Sequence, residues 1–192
     1  MTINPRFPSR EEMRFQNVSE SGFSLEQVFR RILRFISQHP QYAYHFVIGT
    51  DSQVHKGCTM FVTGIVIHRL GKGAWACYRE VVIPRELTSI KEKLSMETTL
   101  SQEVASYFTE EEFYKMEEPL LPYVYKGASL ETFIDIDAGT IPVINKTAQY
   151  VQEMVERVNA MGTYEARVKP DAYAASSYAN RYTKKGIREV HP

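Results

Sequence analysis

The chain is poor in cysteine: Cys58 and Cys77 are the two it has among 192 residues, and neither stands in a CxxC spacing. That spacing argues against a zinc site, and the two residues read as buried free thiols of a cytoplasmic protein. No segment approaches the roughly 20 apolar residues of a membrane span. The opening MTINPRFPSREEMRF lacks the apolar core of a secretory signal. Neither sign of charge is in excess, with 23 basic against 23 acidic residues. Such a balance argues against a protein that coats nucleic acid, yet it leaves room for an enzyme with a local basic groove beside an acidic metal site. Internal repeats and low-complexity segments are absent as well.

What is present suffices for one core. Hydrophobic residues make up 43% and aromatics 12% of the chain, well clear of disordered composition. Residues 1–22 are polar, carry two prolines and show no periodicity, so they are expected to form an arm. Residues 23–185 are expected to form a single domain, with 186–192 as a tail.

Within that domain the periodicity alternates between two kinds. SLEQVFRRILRFISQHP opens with Ser24 and Gln27 in capping-box spacing, and Leu25, Val28, Phe29, Ile32, Phe35 and Ile36 follow on a helical stripe. Strand-like runs come next at 45–51, 59–69 and 74–84, joined by short links that include Gly71-Lys72-Gly73, and together they predict an antiparallel meander. A helix is expected over 89–108, then an acidic stretch ending at Pro119, a turn-like LPYVYKGAS, and a fourth strand over 130–137. A helix over 145–161, a short strand over 163–168 and a last helix opened by Pro170 complete the order.

Carboxylates stand at suggestive places in these elements. Asp51 ends the apolar run HFVIGT, where it is either a turn residue or a ligand, and Gly49 on the same strand face leaves room for close approach. At about 100° per residue, Glu97 falls in the stripe of Ile90, Leu94, Leu100, Val104 and Phe108, whereas Glu92 and Glu103 lie well round the helix. A carboxylate on a core-facing stripe needs a base or a cation, because burying it unpaired is costly. FIDID sets Asp135 and Asp137 on one strand face, and Asp137 also suits the start of a turn. Asp171 suits the first turn of the last helix for its dipole alone, yet Ala174, Ala175, Tyr178 and Tyr182 share its stripe and would bring it against the sheet. Acids from four separate elements make sense together as ligands of Mg²⁺ or Mn²⁺, which prefer oxygen, and a pair of such ions suits phosphodiester cleavage.

The order of elements and acids resembles the ribonuclease H fold, with IGTDSQ, SMETTLSQEVASYF, FIDID and DAYAASSYANRY standing for its Asp, Glu, Asp, Asp tetrad. More closely, IGTDSQVH, FIDID and KPDAYAASSYANRYTK resemble the ribonuclease H-like YkuK family, over most of the chain from about Ser24 to Lys184. The resemblance implies an α/β fold with a mixed five-stranded sheet, three antiparallel strands and then two more, flanked by helices. It also implies Asp51, Glu97, Asp135 and Asp171 as catalytic metal ligands and Asp137 as a fifth. By analogy Asp51 would bridge two ions, Glu97 and Asp135 would share one, and Asp171 would complete the other. The chain departs from ribonuclease H proper in its added N-terminal helix, its insertion between the Glu helix and the fourth strand, and its lack of the His-bearing loop before the last Asp.

The expectation is therefore a two-metal nuclease acting on RNA, DNA or a hybrid, with no membrane partner. Lys169 is either a substrate contact or a carboxylate's partner, and His55 either a substrate contact or, as its place between strands favours, a solvated loop histidine. Two rivals share the fold: a non-catalytic nucleic-acid-binding module, and a structural or regulatory protein whose acids pair with Lys169, Arg167 and Arg181.

Overall fold

A computed structural model describes residues 9, 11–140, 146–172 and 174–183, of which 174–176 by backbone alone. The start of the arm and the expected tail over 186–192 lie outside the described residues. The first helix, α1 (Leu25–Ser37), begins as its sequence dictates. Ser24 Oγ accepts from Gln27 N at 3.2 Å, and Gln27 Oε1 accepts from Ser24 N at 2.8 Å. Leu25, Val28, Ile32 and Ile36 then form its buried stripe.

The meander follows as β3 (Ala43–His55), β4 (Cys58–Arg69) and β5 (Gly73–Ile83), paired antiparallel over nearly their whole lengths. β3 runs four residues beyond Asp51 to His55, so Asp51 stands within the strand and does not close it. β6 (Ser129–Gly139) lies parallel to β3 on its other side, and β7 (Glu165–Lys169) lies parallel to β6. Among the described residues the sheet has seven strands where five were expected. The extra pair is β1 (Phe15–Gln16) and β2 (Ser21–Phe23), drawn from the stretch expected to be an arm. Met13, Phe15 and Phe23 explain this, because they bury their side chains in the main core and carry the backbone onto the β5 edge. The order across the sheet is β2-β1-β5-β4-β3-β6-β7.

One face of the sheet is covered by α1, α2 (Ile90–Ala105), α3 (Glu110–Glu117) and α4 (Ala148–Asn159), around Tyr44, Phe46, Ile48, Ile65 and Ile67. Helix α5 (Ala174–Thr183) covers the other, against Met60, Val62 and Tyr78. Where a turn was expected after α3, a 3-10 helix runs over Glu118–Lys126 and buries Leu120. Cys77 is buried as expected, whereas Cys58, beside the β3–β4 turn, is half-exposed; both thiols are free. Among the described residues no helix is long and apolar enough to cross a membrane.

Helix α2 is buried more widely than its apolar stripe implies, since Thr98, Ser101 and Ala105 are also buried. Glu103, expected on the far side, reaches the buried guanidinium of Arg79 on β5. The stripe misses this because the partner is supplied by the sheet. Arg157 of α4 fastens α2 from behind, donating to Ser95 Oγ at 3.0 Å, Thr99 Oγ1 at 2.8 Å and Gln102 Oε1 at 2.9 Å.

Candidate functional site

A row of hydroxyls sets the height of Glu97 over the sheet. Thr50 and Ser52 point from β3 toward α2, two strand residues apart, which is about 6.6 Å. Ser101 and Glu97 answer them from α2, four helical residues apart, which is about 6 Å. The two spacings match, so both contacts form: Thr50 Oγ1 to Ser101 Oγ at 2.8 Å, and Ser52 Oγ donating to Glu97 Oε1 at 2.6 Å. Thr63 of β4 extends the row, 2.9 Å from Thr50 Oγ1.

Asp51, between Thr50 and Ser52, points to the opposite face, where Thr183 at the end of α5 donates to its Oδ2 at 2.6 Å. β6 supplies the next acid through its parallel register with β3. Gly49 stands opposite Asp135, and two residues further on the same face come Asp51 and Asp137. Between Asp135 and Gly139 the pairing with β7 slips, four residues of β6 spanning the two from Arg167 to Lys169. Such a bulge re-aims side chains at a sheet's end. Asp137 lies in it, with its Oδ1 2.6 Å from Lys169 Nζ.

Two of these acids, Glu97 and Asp51, respond to the charges beside them. Burial pushes Glu97 up to about 8, the Ser52 hydrogen bond opposes the rise, and the charges of Asp51 and Asp137 add to it. Burial also raises Asp51 above the ordinary carboxylate range; the Thr183 bond offsets part of this and Asp137 adds to it. Lys93, one helical turn before Glu97, moderates both. It is absent from the sequence-derived candidates, as are Ser52 and Thr183. Its signal was its position four before Glu97, on the same helical face.

The other sequence-derived residues stand apart. Asp135 is fully buried and bonded to Arg167, whose Nε and Nη2 lie 2.9 and 2.8 Å from its Oδ1. Asp171 precedes α5, in an exposed turn, because the helix starts at Ala174. It therefore does not reach the sheet through that helix's stripe. His55 ends β3 four residues past Asp51, about 13 Å along the strand at 3.3 Å per residue.

Among the described residues, no three His, Cys, Asp or Glu side chains are grouped closely enough to hold a metal. Asp51, Glu97 and Asp137 instead each lean on a separate donor: Thr183, Ser52 and Lys169. Their donor chemistry, oxygen from three carboxylates, is nonetheless the kind that a hard cation prefers.

A ribonuclease H-like family profile matches residues 27–184. The uncharacterized protein YkuK of Bacillus subtilis (strain 168) is 39% identical over 170 residues, covering 88% of this chain and 96% of its own length. No solved structure matches. A mixed open sheet flanked by helices agrees with that profile, and the chain belongs to the ribonuclease H-like family, beside YkuK.

Proposed function

We propose that the protein is a divalent-metal-dependent nuclease that hydrolyses phosphodiesters through the group Asp51, Glu97 and Asp137. The observation that supports this reading most is the approach of these acids from β3, α2 and β6 to one end of the sheet, where Glu97 feels the charges of Asp51 and Asp137 and Asp51 feels that of Asp137. Mg²⁺ or Mn²⁺ would be held by their carboxylates, and when bound would supply the activated water and stabilise the leaving oxygen. Asp137 takes the β6 position in place of Asp135, because Asp135 already neutralises Arg167 in a buried pair. Asp171, exposed two residues beyond Lys169, takes an outer position at the rim. Lys93 and Lys169 border the group and would meet substrate phosphates, while Ser52 and Thr183 hold the carboxylates that they touch.

A second reading, a nucleic-acid-binding or regulatory module on the same fold, is favoured by one observation. Asp135 and Asp137 are each already paired, with Arg167 and Lys169. The test is a cleavage assay on labelled RNA, single- and double-stranded DNA, RNA–DNA hybrid and four-way junction, in Mn²⁺, Mg²⁺ or EDTA. Cutting that needs metal and vanishes in Asp51→Asn and Glu97→Gln is the expected result. Binding without cutting, with both variants folded, would favour the second reading.

A further inference from the structure

The last turn of α5 carries a hydroxyl with an unusual assignment. Thr183 is 1% exposed, and its Oγ1 lies 2.6 Å from Asp51 Oδ2 and 3.1 Å from the Asn180 carbonyl oxygen. A helical Thr ordinarily bonds back to its own preceding turn. One hydroxyl proton cannot serve two acceptors fully, and the shorter contact, to a carboxylate, is the stronger. Thr183 therefore spends its proton on a residue 132 positions away in the chain.

The position of that oxygen is fixed independently of the acids. The neighbouring Tyr182 stacks on Tyr78 of β5, ring centroids 3.8 Å apart and planes within 21°. Ala179 and Tyr182 are buried against Met60 and Val62 of β4. The packing of α5 on the meander thus delivers a hydroxyl to Asp51 in a set place, the arrangement that locks a functional side chain's rotamer.

We propose that Thr183 is the positioning residue of Asp51: its buried hydroxyl holds one carboxylate oxygen so that Asp51 meets a divalent cation in a fixed orientation. The inference rests on the acid group's reading as a metal centre, and it concerns cation affinity without depending on cleavage. Partners that orient metal-binding side chains in this way are generally worth 10–100-fold in affinity.

The test is a Mn²⁺ titration of the full-length protein, followed by the EPR signal of the free ion, on wild type, Thr183→Val, Thr183→Ala and Thr183→Ser. The Val and Ala variants are expected to bind Mn²⁺ about tenfold or more weakly and the Ser variant within about threefold of wild type. Two hydroxyl-free variants guard against a folding defect in either. Wild-type affinity in the Val or Ala variant would overturn the assignment. So would a Ser variant as weak as Val, since the methyl group would then be what matters. Wild type that binds Mn²⁺ yet cleaves nothing would remove the nuclease reading and leave Thr183's role standing. Wild type that binds no Mn²⁺ would overturn both.

Discussion

Ser52 donates its hydroxyl proton to Glu97 Oε1 at 2.6 Å, joining the strand that carries Asp51 to the helix that faces it. The bond holds Glu97 in place without neutralising it. Burial raises this carboxyl to about 8 from an ordinary 4.5, and Asp51 and Asp137 add to the rise.

The sign of the consequence follows from linkage. An acid whose pKa is higher in the fold than in the unfolded chain resists ionisation in the fold, so it destabilises as pH rises from about 4.5 to about 8, by an amount on the order of a few kcal/mol. Below that window the effect vanishes, because Glu97 is neutral in both states. Glu97→Gln keeps an acceptor for Ser52 and cannot ionise. In EDTA it is expected to melt several degrees above wild type at pH 8, with the gap closing toward pH 5. Thermal melts across that range would sink the idea by showing a gap that does not change with pH.

Asp135 and Asp137 share a strand face and separate in role. Asp135→Ala leaves the largely buried Arg167 without its carboxylate and is expected to cost about 3–5 kcal/mol in urea unfolding. Asp135→Asn, which keeps the shape, is expected to retain Mn²⁺ affinity, whereas Asp137→Asn loses it about tenfold or more. Equal losses of Mn²⁺ affinity in the two Asn variants would return Asp135 to the metal centre.

Arg79 and Glu103 form another charged contact of the interior, with 3% and 13% of their side chains exposed. Glu103→Ala strands the guanidinium beneath α2 and is expected to cost about 3–5 kcal/mol. Glu92→Ala removes the exposed partner of Arg85 and is expected to leave the urea midpoint where it is. Similar midpoints for the two variants would contradict the burial of the Arg79 charge.

The Lys93 ammonium makes no ion pair or hydrogen bond among the described residues, although it moderates two carboxylates. If it meets a substrate phosphate, Lys93→Gln weakens binding of a fluorescein-labelled RNA–DNA hybrid in Ca²⁺ and lowers the slope of log affinity against log salt by about 0.7–0.9. An unchanged slope would assign Lys93 to the acids alone.

Much of this was legible along the chain because it depends on local spacing. The capping box of Ser24 and Gln27, the meander, and the shared face of Asp135 and Asp137 are all consequences of helical or strand period. Asp171 lies outside its expected helix because Pro170 and Asp171 belong to the turn that precedes α5, which runs over Ala174–Thr183. The strands within the expected arm have no signature in the sequence because Met13, Phe15 and Phe23 are too sparse to show a period, and their burial comes from a sheet edge formed by residues far along the chain.

The sequence by itself determined which residues carry the acids and which face of its own element each one takes, since period and polarity reside in neighbouring positions. Which acids meet was decided by the tertiary structure. The parallel register of β6 on β3 and a bulge bring Asp137 toward Asp51, Arg167 claims Asp135, and the packing of α5 sets Thr183 against Asp51. Each of these depends on contacts between distant segments, whose geometry is fixed by how whole elements pack and has no signature in local spacing.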